Sequence, residues 1–306
     1  MPDAIAPQTF LGLPRQLAGS ATPRAVIFGA GQGSTYPGKD SSGFDLAADA
    51  IRAASQEDAD LLTHWDFDLG GPLFGDGPVC VTDVGNLPTI MRDNMRNRAL
   101  IEARTRDILS SGSVPVLLGG DDSVPIPFLA GYAGQGPIFV VQIDAHLDWR
   151  DAVGGEPFGY SSPMRRASEM AHVAGMLQIG LRSVGSARRD EVEAALAYGS
   201  RLVTARDIHA HGVAAALVHV PEDAKVVITL DCDGIDPAIM PGVAARTPGG
   251  LSYTQVIDLI AGIGRRARIV GFDLVEFHPP ADIDGLSALT ASRILVNAIG
   301  AIIRQG

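Results

Sequence analysis

Carboxylates in short, repeated spacings are the residues of this chain best suited to chemistry. Asp121-Asp122 follows Gly119-Gly120; further on come Asp144-Ala145-His146-Leu147-Asp148, Asp231-Cys232-Asp233-Gly234-Ile235-Asp236-Pro237 and Asp273-Leu274-Val275-Glu276-Phe277-His278. Carboxylates held close together repel one another and are costly to desolvate, so such a cluster needs cations. Oxygen donors with one imidazole suit a divalent ion such as Mn²⁺, and a bridging carboxylate suits two ions. If the segments are extended, alternation points Asp144, His146 and Asp148 to one side, and Asp231 with Asp233 likewise. Any one aspartate could instead cap a helix or shape a turn, and Asp236 before Pro237 is expected to do so. Taken together with His146, the aspartates indicate a metal site.

What must position these residues is a set of strands. Short apolar runs bounded by glycine, proline or aspartate cover 25–28, 79–82, 114–118, 137–143, 176–179, 201–204, 226–230 and 268–272. Longer amphipathic stretches lie between several of them, at 46–55, 97–111, 190–198, 212–219 and 254–264. This alternation predicts βαβ units, a mainly parallel sheet of about eight strands, and one domain over 1–306. The four acidic groups each follow a strand-like run. In a parallel α/β sheet, functional residues collect beyond the carboxyl ends of the strands, so the groups should converge on one crevice.

Composition narrows the partners. The chain has 306 residues, 24 basic against 35 acidic, and a formal net charge of −11. With 46% hydrophobic and 19% charged residues it is globular rather than disordered. Its basic residues cluster no further than pairs such as Arg165-Arg166, Arg188-Arg189 and Arg265-Arg266, which argues against nucleic acid. Cys80 and Cys232 lie in apolar runs and are expected to be reduced core residues; Cys232, facing the core, is disfavoured as a nucleophile. The start MPDAIAPQTFLGLPRQ lacks a secretory pattern, and no stretch of eighteen apolar residues predicts a membrane span. A cytoplasmic location with no membrane partner is therefore expected. Gly29-x-Gly31-x-Gly33 imitates a dinucleotide fingerprint, but Ser34-Thr35-Tyr36-Pro37-Gly38 after it reads as a loop, not a helix start. His64, His172, His209, His211 and His219 fall away from the acidic strand ends, whereas His278 alternates with Glu276 and is a candidate for the pocket or for a structural role.

At the level of motifs the chain resembles the ureohydrolases, the group of arginases, agmatinases and related amidinohydrolases. The match is carried by Thr9-Phe10-Leu11-Gly12-Leu13-Pro14, Val84-Gly85-Asn86, 119–123, 144–148, 231–237, Pro248-Gly249-Gly250-Leu251-Ser252 and Val275-Glu276. The resemblance implies a three-layer αβα fold and a two-metal site, Mn²⁺ or Ni²⁺, that hydrolyses a guanidino compound to urea plus an amine. It also implies an oligomer, commonly a trimer or hexamer. Carried over by position, Asp144, His146, Asp148, Asp231 and Asp233 fall on metal ligands, with Asp144 and Asp231 bridging. Glu276 falls on the carboxylate that pairs with the guanidinium. Two cations would make a shared water acidic enough to attack as hydroxide, and Asp148 would pass its proton to the leaving amine.

Three departures bear on that expectation. The family usually has Gly-Gly-Asp-His-Ser, and its histidine ligand is here Asp122. An aspartate oxygen is two bonds from Cβ, as Nδ1 of histidine is, so Asp122 can imitate such a ligand. Five carboxylates around two dications leave net −1, which favours hard metals and a less acidic water. Retained binding with altered metal preference and loss of one metal both stay open. Where the family commonly has His-Gly-Thr-Pro, this chain has Tyr160-Ser161-Ser162-Pro163, which puts Tyr160, or with a shifted gap Ser161, in the slot of a proton-shuttling or substrate-contacting histidine. The segment 241–250 and Asn86 also differ from the usual pattern, so crevice loops are expected to be redrawn. The leading expectation is a metal-dependent hydrolase of linear guanidino or amidine compounds, with Asp148, Glu276 and Tyr160 catalytic and Glu276, Tyr160 and His278 on the substrate. Its rival is a non-catalytic subunit that supports a catalytic paralogue in a hetero-oligomer, for instance one acting on guanidine or on biguanides such as metformin.

Overall fold

The computed structural model describes residues 8–305; Met1–Pro7, part of the start read for a leader, and Gly306 lie outside the described residues. Eight strands form one all-parallel sheet: β1 Ala25–Ala30, β2 Val81–Asn86, β3 Val114–Gly119, β4 Ile138–Ile143, β5 Val173–Leu181, β6 Arg201–Thr204, β7 Lys225–Asp231 and β8 Arg268–Val275. Their order is β2-β1-β3-β8-β7-β4-β5-β6. The four strands that precede the acidic groups, β3, β8, β7 and β4, are therefore consecutive neighbours at the centre of the sheet. The chain leaves β3 and resumes at β4 with β8 and β7 lying between them, which opens a crevice at their carboxyl ends.

Alternation along the buried strands divides the core in two. On β1, Ala25 and Ile27 join one cluster and Val26, Phe28 and Ala30 the other. The first face is covered by α1 Ala47–Ala54, α6 Ala205–His211, α7 Ala214–Leu217, α8 Tyr253–Arg266 and α9 Leu286–Arg304; the second by α2 Asn94–Ser110, α3 Pro125–Ala130, α4 Pro163–Ser168 and α5 Arg189–Tyr198. Helices on both faces of a parallel sheet make the expected three-layer αβα arrangement.

Several boundaries differ from expectation. β2 runs over 81–86 rather than 79–82, because the buried Asp83 is not a break: it pairs with the buried Arg52 on α1 at 2.8 Å. Asn86 closes the same network, donating to Asp49 at 3.0 Å and accepting from Arg52, so it belongs to a structural ion pair and not to a redrawn crevice loop. β8 continues to Val275, which places Asp273 inside the strand instead of beyond its end. The stretch 212–219 holds only the short α7, since α6 has already used the residues before it.

The longest helix, α9, is rich in apolar residues and buried along most of its length. By length and composition it could cross a membrane, with mean hydropathy 1.7 over an 18-residue window, although no uninterrupted apolar run in the chain reaches eighteen residues. Ser287, Thr290, Ser292, Arg293 and Asn297 interrupt its apolar run. In the fold 78% of that window is buried inside the protein, against the partners of the first core cluster.

Candidate metal centre

Each acidic group sits where its strand gives way to a loop. After β3, Gly120 presses on Gly31: a Cβ there would lie 2.2 Å from the Gly31 carbonyl oxygen, so only glycine lets the turn close. That turn delivers Asp121 and Asp122 to the crevice, both buried. Asp121 is committed to Ser41 and Ser123, which both donate to it. Asp122 differs: its amide donates to Glu276 Oε1 at 2.8 Å, and its Oδ2 is buried with no hydrogen-bond partner.

The segment after β4 is not extended. It bends at Ala145 and His146, and Asp148 sits at φ +55°, so its residues converge by bending and not by strand alternation. His146 N donates to Asp144 Oδ1 at 2.6 Å, and His146 Nδ1 lies 3.0 Å from Asp233 Oδ2 and 3.5 Å from Asp144 Oδ1. After β7, Asp231 accepts from the Asp233 amide at 2.6 Å across the tight turn Cys232–Gly234, while Cys232 is buried in the core. Glu276, after β8, is held at φ +61° with its amide donating to Gly120 at 2.8 Å. Positive φ at two non-glycine residues, Asp148 and Glu276, is strain of the kind that surrounding structure sustains at functional sites.

Two sets of ligand atoms result. Asp144, His146 and Asp233 present atoms within 4.8 Å of one another, as do Asp122, Asp144 and Asp231, so the sets share Asp144. Burial pushes the Asp122, Asp144, Asp148, Asp231 and Glu276 carboxyls well above the ordinary carboxylate range, and their neighbours' charges add to it. Burial works against a charged His146, yet the Asp233 carboxylate and the other negative charges hold its pKa at about 9. Only protons or cations can neutralise such a cluster. The buried, unpartnered Asp122 Oδ2 and the oxygen-rich donor set fit divalent cations.

Asp148 and Glu276 line the same cavity, of about 280 Å³, without belonging to either three-ligand set. Tyr160 lines its mouth, 36% exposed, with its ring 4.7 Å from that of Tyr36, and Ser161 lines it too. His278 does not line it. Its Nε2 lies 3.2 Å from the Ser42 carbonyl and its ring 4.8 Å from Phe44, so it packs behind the wall. Asp236 accepts from the amides of Ala238, Gly249 and Gly250 and braces the neighbouring loop. Ala244 and Ala245 of the redrawn 241–250 segment reach the cavity. Larger cavities, of about 360 and 530 Å³, lie away from these strand ends and hold no such ligand set among the described residues.

Two groups of supporting residues were not anticipated. Gln142, inside β4, donates from Nε2 to Asp144 Oδ2 and to Asp148 Oδ2, each at 2.7 Å. Its own oxygen accepts from Gln178 at 2.6 Å, and Gln178 accepts from Trp149 at 2.8 Å and Ser200 at 2.9 Å. The visible signal was a glutamine inside an apolar strand, since a buried amide must find partners. Arg182 donates to the carbonyls of Asp233 at 2.6 Å and Thr247 at 2.7 Å and fixes the loop that carries Asp233. Ligand orientation by such outer partners is a general feature of metal sites.

Known proteins resemble this chain in fold and in sequence. The proclavaminate amidino hydrolase of Streptomyces clavuligerus superposes with a TM-score of 0.84 over 98% of each chain, at 27% identity. The N(1)-aminopropylagmatine ureohydrolase of Thermus thermophilus is 32% identical over 202 residues, 66% of this chain and 67% of that one. Arginase 1 of Arabidopsis thaliana, a mitochondrial protein, is 29% identical over 231 residues, 71% of this chain and 65% of its own. The chain thus spans about two thirds of the length of these curated relatives. The sequence profile of the arginase family matches residues 23–300, a range that takes in all eight strands and every acidic strand end, and the chain belongs to that family.

Proposed function

We propose that the chain is a two-cation amidinohydrolase that cleaves a guanidino compound to urea and an amine. One observation carries this: two three-ligand sets share Asp144, and their other members line a cavity that Glu276 also lines. Two divalent cations bound by Asp122, Asp144, His146, Asp231 and Asp233 supply a water of lowered pKa and a positive field for the reaction. Glu276 pairs with the planar guanidinium and presents its carbon to the attacking oxygen. Asp148, kept close to Asp144 by Gln142, receives the proton from the attacking water and hands it to the nitrogen whose bond to carbon breaks. Tyr160 donates a hydrogen bond at the mouth, and its place on Tyr36 sets how far it reaches. His278 acts indirectly, holding the Ser42–Phe44 wall.

The reaction balances as water adding to the guanidinium carbon and the C–N bond giving its electron pair, with a proton, to the amine. The chain is read as a cytoplasmic oligomer, of its own kind or with a paralogue. The test is urea release from a panel of guanidino compounds by protein loaded with Mn²⁺ or Ni²⁺. Turnover of at least one compound is expected. A fully loaded chain that turns over none, and co-purifies with a second arginase-family chain, would replace this proposal with a supporting, non-catalytic subunit.

A further inference from the structure

The two ligand sets are chemically unlike. Asp144, His146 and Asp233 offer two carboxylates and one imidazole, whereas Asp122, Asp144 and Asp231 offer carboxylates alone. Among the described residues no other imidazole and no thiol lines the cavity: His278 is turned to the Ser42 carbonyl, and Cys232 lies in the core. His146 is therefore the single nitrogen donor available to two cations that share Asp144.

Asp122 cannot be dismissed as a turn residue. It is 3% exposed, its side chain accepts no hydrogen bond from the protein, and Oδ2 has no partner at all. Its backbone is nevertheless fixed, since its amide is bound by Glu276. Asp121, one residue earlier, shows what a structural aspartate looks like here, with both its oxygens bound by serine hydroxyls. A buried carboxylate oxygen left without a donor is costly, and a cation removes that cost.

We infer that this chain builds a mixed-metal centre, in which Asp122, Asp144 and Asp231 take a hard, oxygen-preferring cation such as Mn²⁺ or Mg²⁺ and Asp144, His146 and Asp233 take a borderline one such as Ni²⁺. Carboxylate donors suit Mg²⁺ and Mn²⁺, while imidazole suits Ni²⁺ and Zn²⁺. Every divalent ion of the later first row binds N/O sites more tightly than Mn²⁺, so the difference lies in the ratio of the two affinities. That ratio is larger at the half with the imidazole. This inference rests on the proposed two-cation centre and specifies which cation each half holds.

The experiment uses the whole chain, stripped of metal and then dialysed against Mn²⁺ and Ni²⁺ together, with Ni²⁺ limiting. Metal content by elemental analysis and the electron paramagnetic resonance of Mn²⁺ are read, so no turnover is needed. The wild type is expected to hold one Ni²⁺ and one Mn²⁺ per chain, with no coupled Mn²⁺ pair. Asp122→His is expected to raise the Ni²⁺ affinity of the second half relative to Mn²⁺ at least about tenfold, so that a second Ni²⁺ enters at a Ni²⁺-to-Mn²⁺ ratio that leaves the wild type with one. His146→Asp, read alongside in case the first variant does not fold, is expected to lose the Ni²⁺ preference and take two Mn²⁺. Two like ions in the wild type under the mixture, or variants with the wild-type preference, would overturn the inference. Two like ions with urea release would sink the mixed centre alone; one of each without urea release would sink the hydrolase proposal alone.

Discussion

Gln142 allows a sharp test of how the ligands are held. Replacing it with leucine keeps the volume of a buried side chain but removes both donors to Asp144 and Asp148, each at 2.7 Å. A hydrogen bond to a charged group contributes about 1.5–3 kcal/mol, but part of this returns when a cation takes over the carboxylate oxygens. Loss of an outer partner typically lowers metal affinity by about 10–100-fold, equivalent to about 1.4–2.7 kcal/mol. Gln142→Leu should therefore weaken Mn²⁺ binding by that factor while the protein stays folded, because Gln178 keeps its bonds to Leu147, Trp149 and Ser200. Calorimetric titration of metal-free protein measures it, with circular dichroism as the folding control. Gln178→Leu should act in the same direction but less, since it frees the Gln142 amide without removing it. Unchanged Mn²⁺ affinity in folded Gln142→Leu would refute the reasoning. The backbone bonds, such as His146 N to Asp144 at 2.6 Å, would then suffice to orient the ligands.

Three other perturbations separate the roles assigned above. Glu276→Gln should retain two cations by elemental analysis yet lower kcat/KM for urea release by about 100-fold or more, as a bidentate carboxylate partner for the guanidinium is lost. Arg182→Met should destabilise the fold by about 3 kcal/mol in denaturant titrations, because the carbonyls of Asp233 and Thr247 lose their donor; Arg182→Lys should recover only part, since one ammonium cannot reproduce the fork. Asp273 lies within β8, accepts from Thr229 at 2.8 Å, and is pushed by burial up to about 8. Its folded pKa is above the unfolded one, so its stabilising effect is complete below about pH 4 and is lost as pH rises towards 8. Asp273→Asn should then gain stability relative to the wild type between those values, read from denaturant midpoints at pH 5 and pH 8, and a difference that does not change with pH would contradict it.

The fold was legible because its strands are short apolar runs with abrupt polar ends, and because the acidic groups follow strands that prove adjacent in the sheet. Residues 201–204 were delimited as observed, since both ends carry polar punctuation. Strands that continue through buried polar residues were cut short: Asp83 in β2 and Asp273 in β8 find partners in Arg52 and Thr229 that lie far along the chain. Helix α9 was not among the amphipathic stretches, and its apolar composition reflects burial along most of its length. At the site, residue types and spacing named Asp144, His146, Asp148, Asp231 and Asp233, and the family resemblance added Asp122; the structure gathers all of these except Asp148 into two sets. The convergence of Asp144, His146 and Asp148 was expected from alternation and arises from a bend. His278 was out of reach of sequence reasoning, because side-chain direction after a strand depends on the turn that follows: its amide donates to Gly242 and its ring turns to Ser42. Gln142, Gln178 and Arg182 act only through three-dimensional contacts and have no spacing of their own.

The proposed chemistry needs both cations at once. Metal-free protein is titrated with Mn²⁺, alone and with Ni²⁺, while urea release from a guanidino compound that the loaded chain turns over is followed against ions bound per chain. Urea release should stay near background up to one ion per chain and rise as the second is filled. Full turnover at one ion per chain would contradict the account, as would a chain that binds two ions and releases no urea from any guanidino compound.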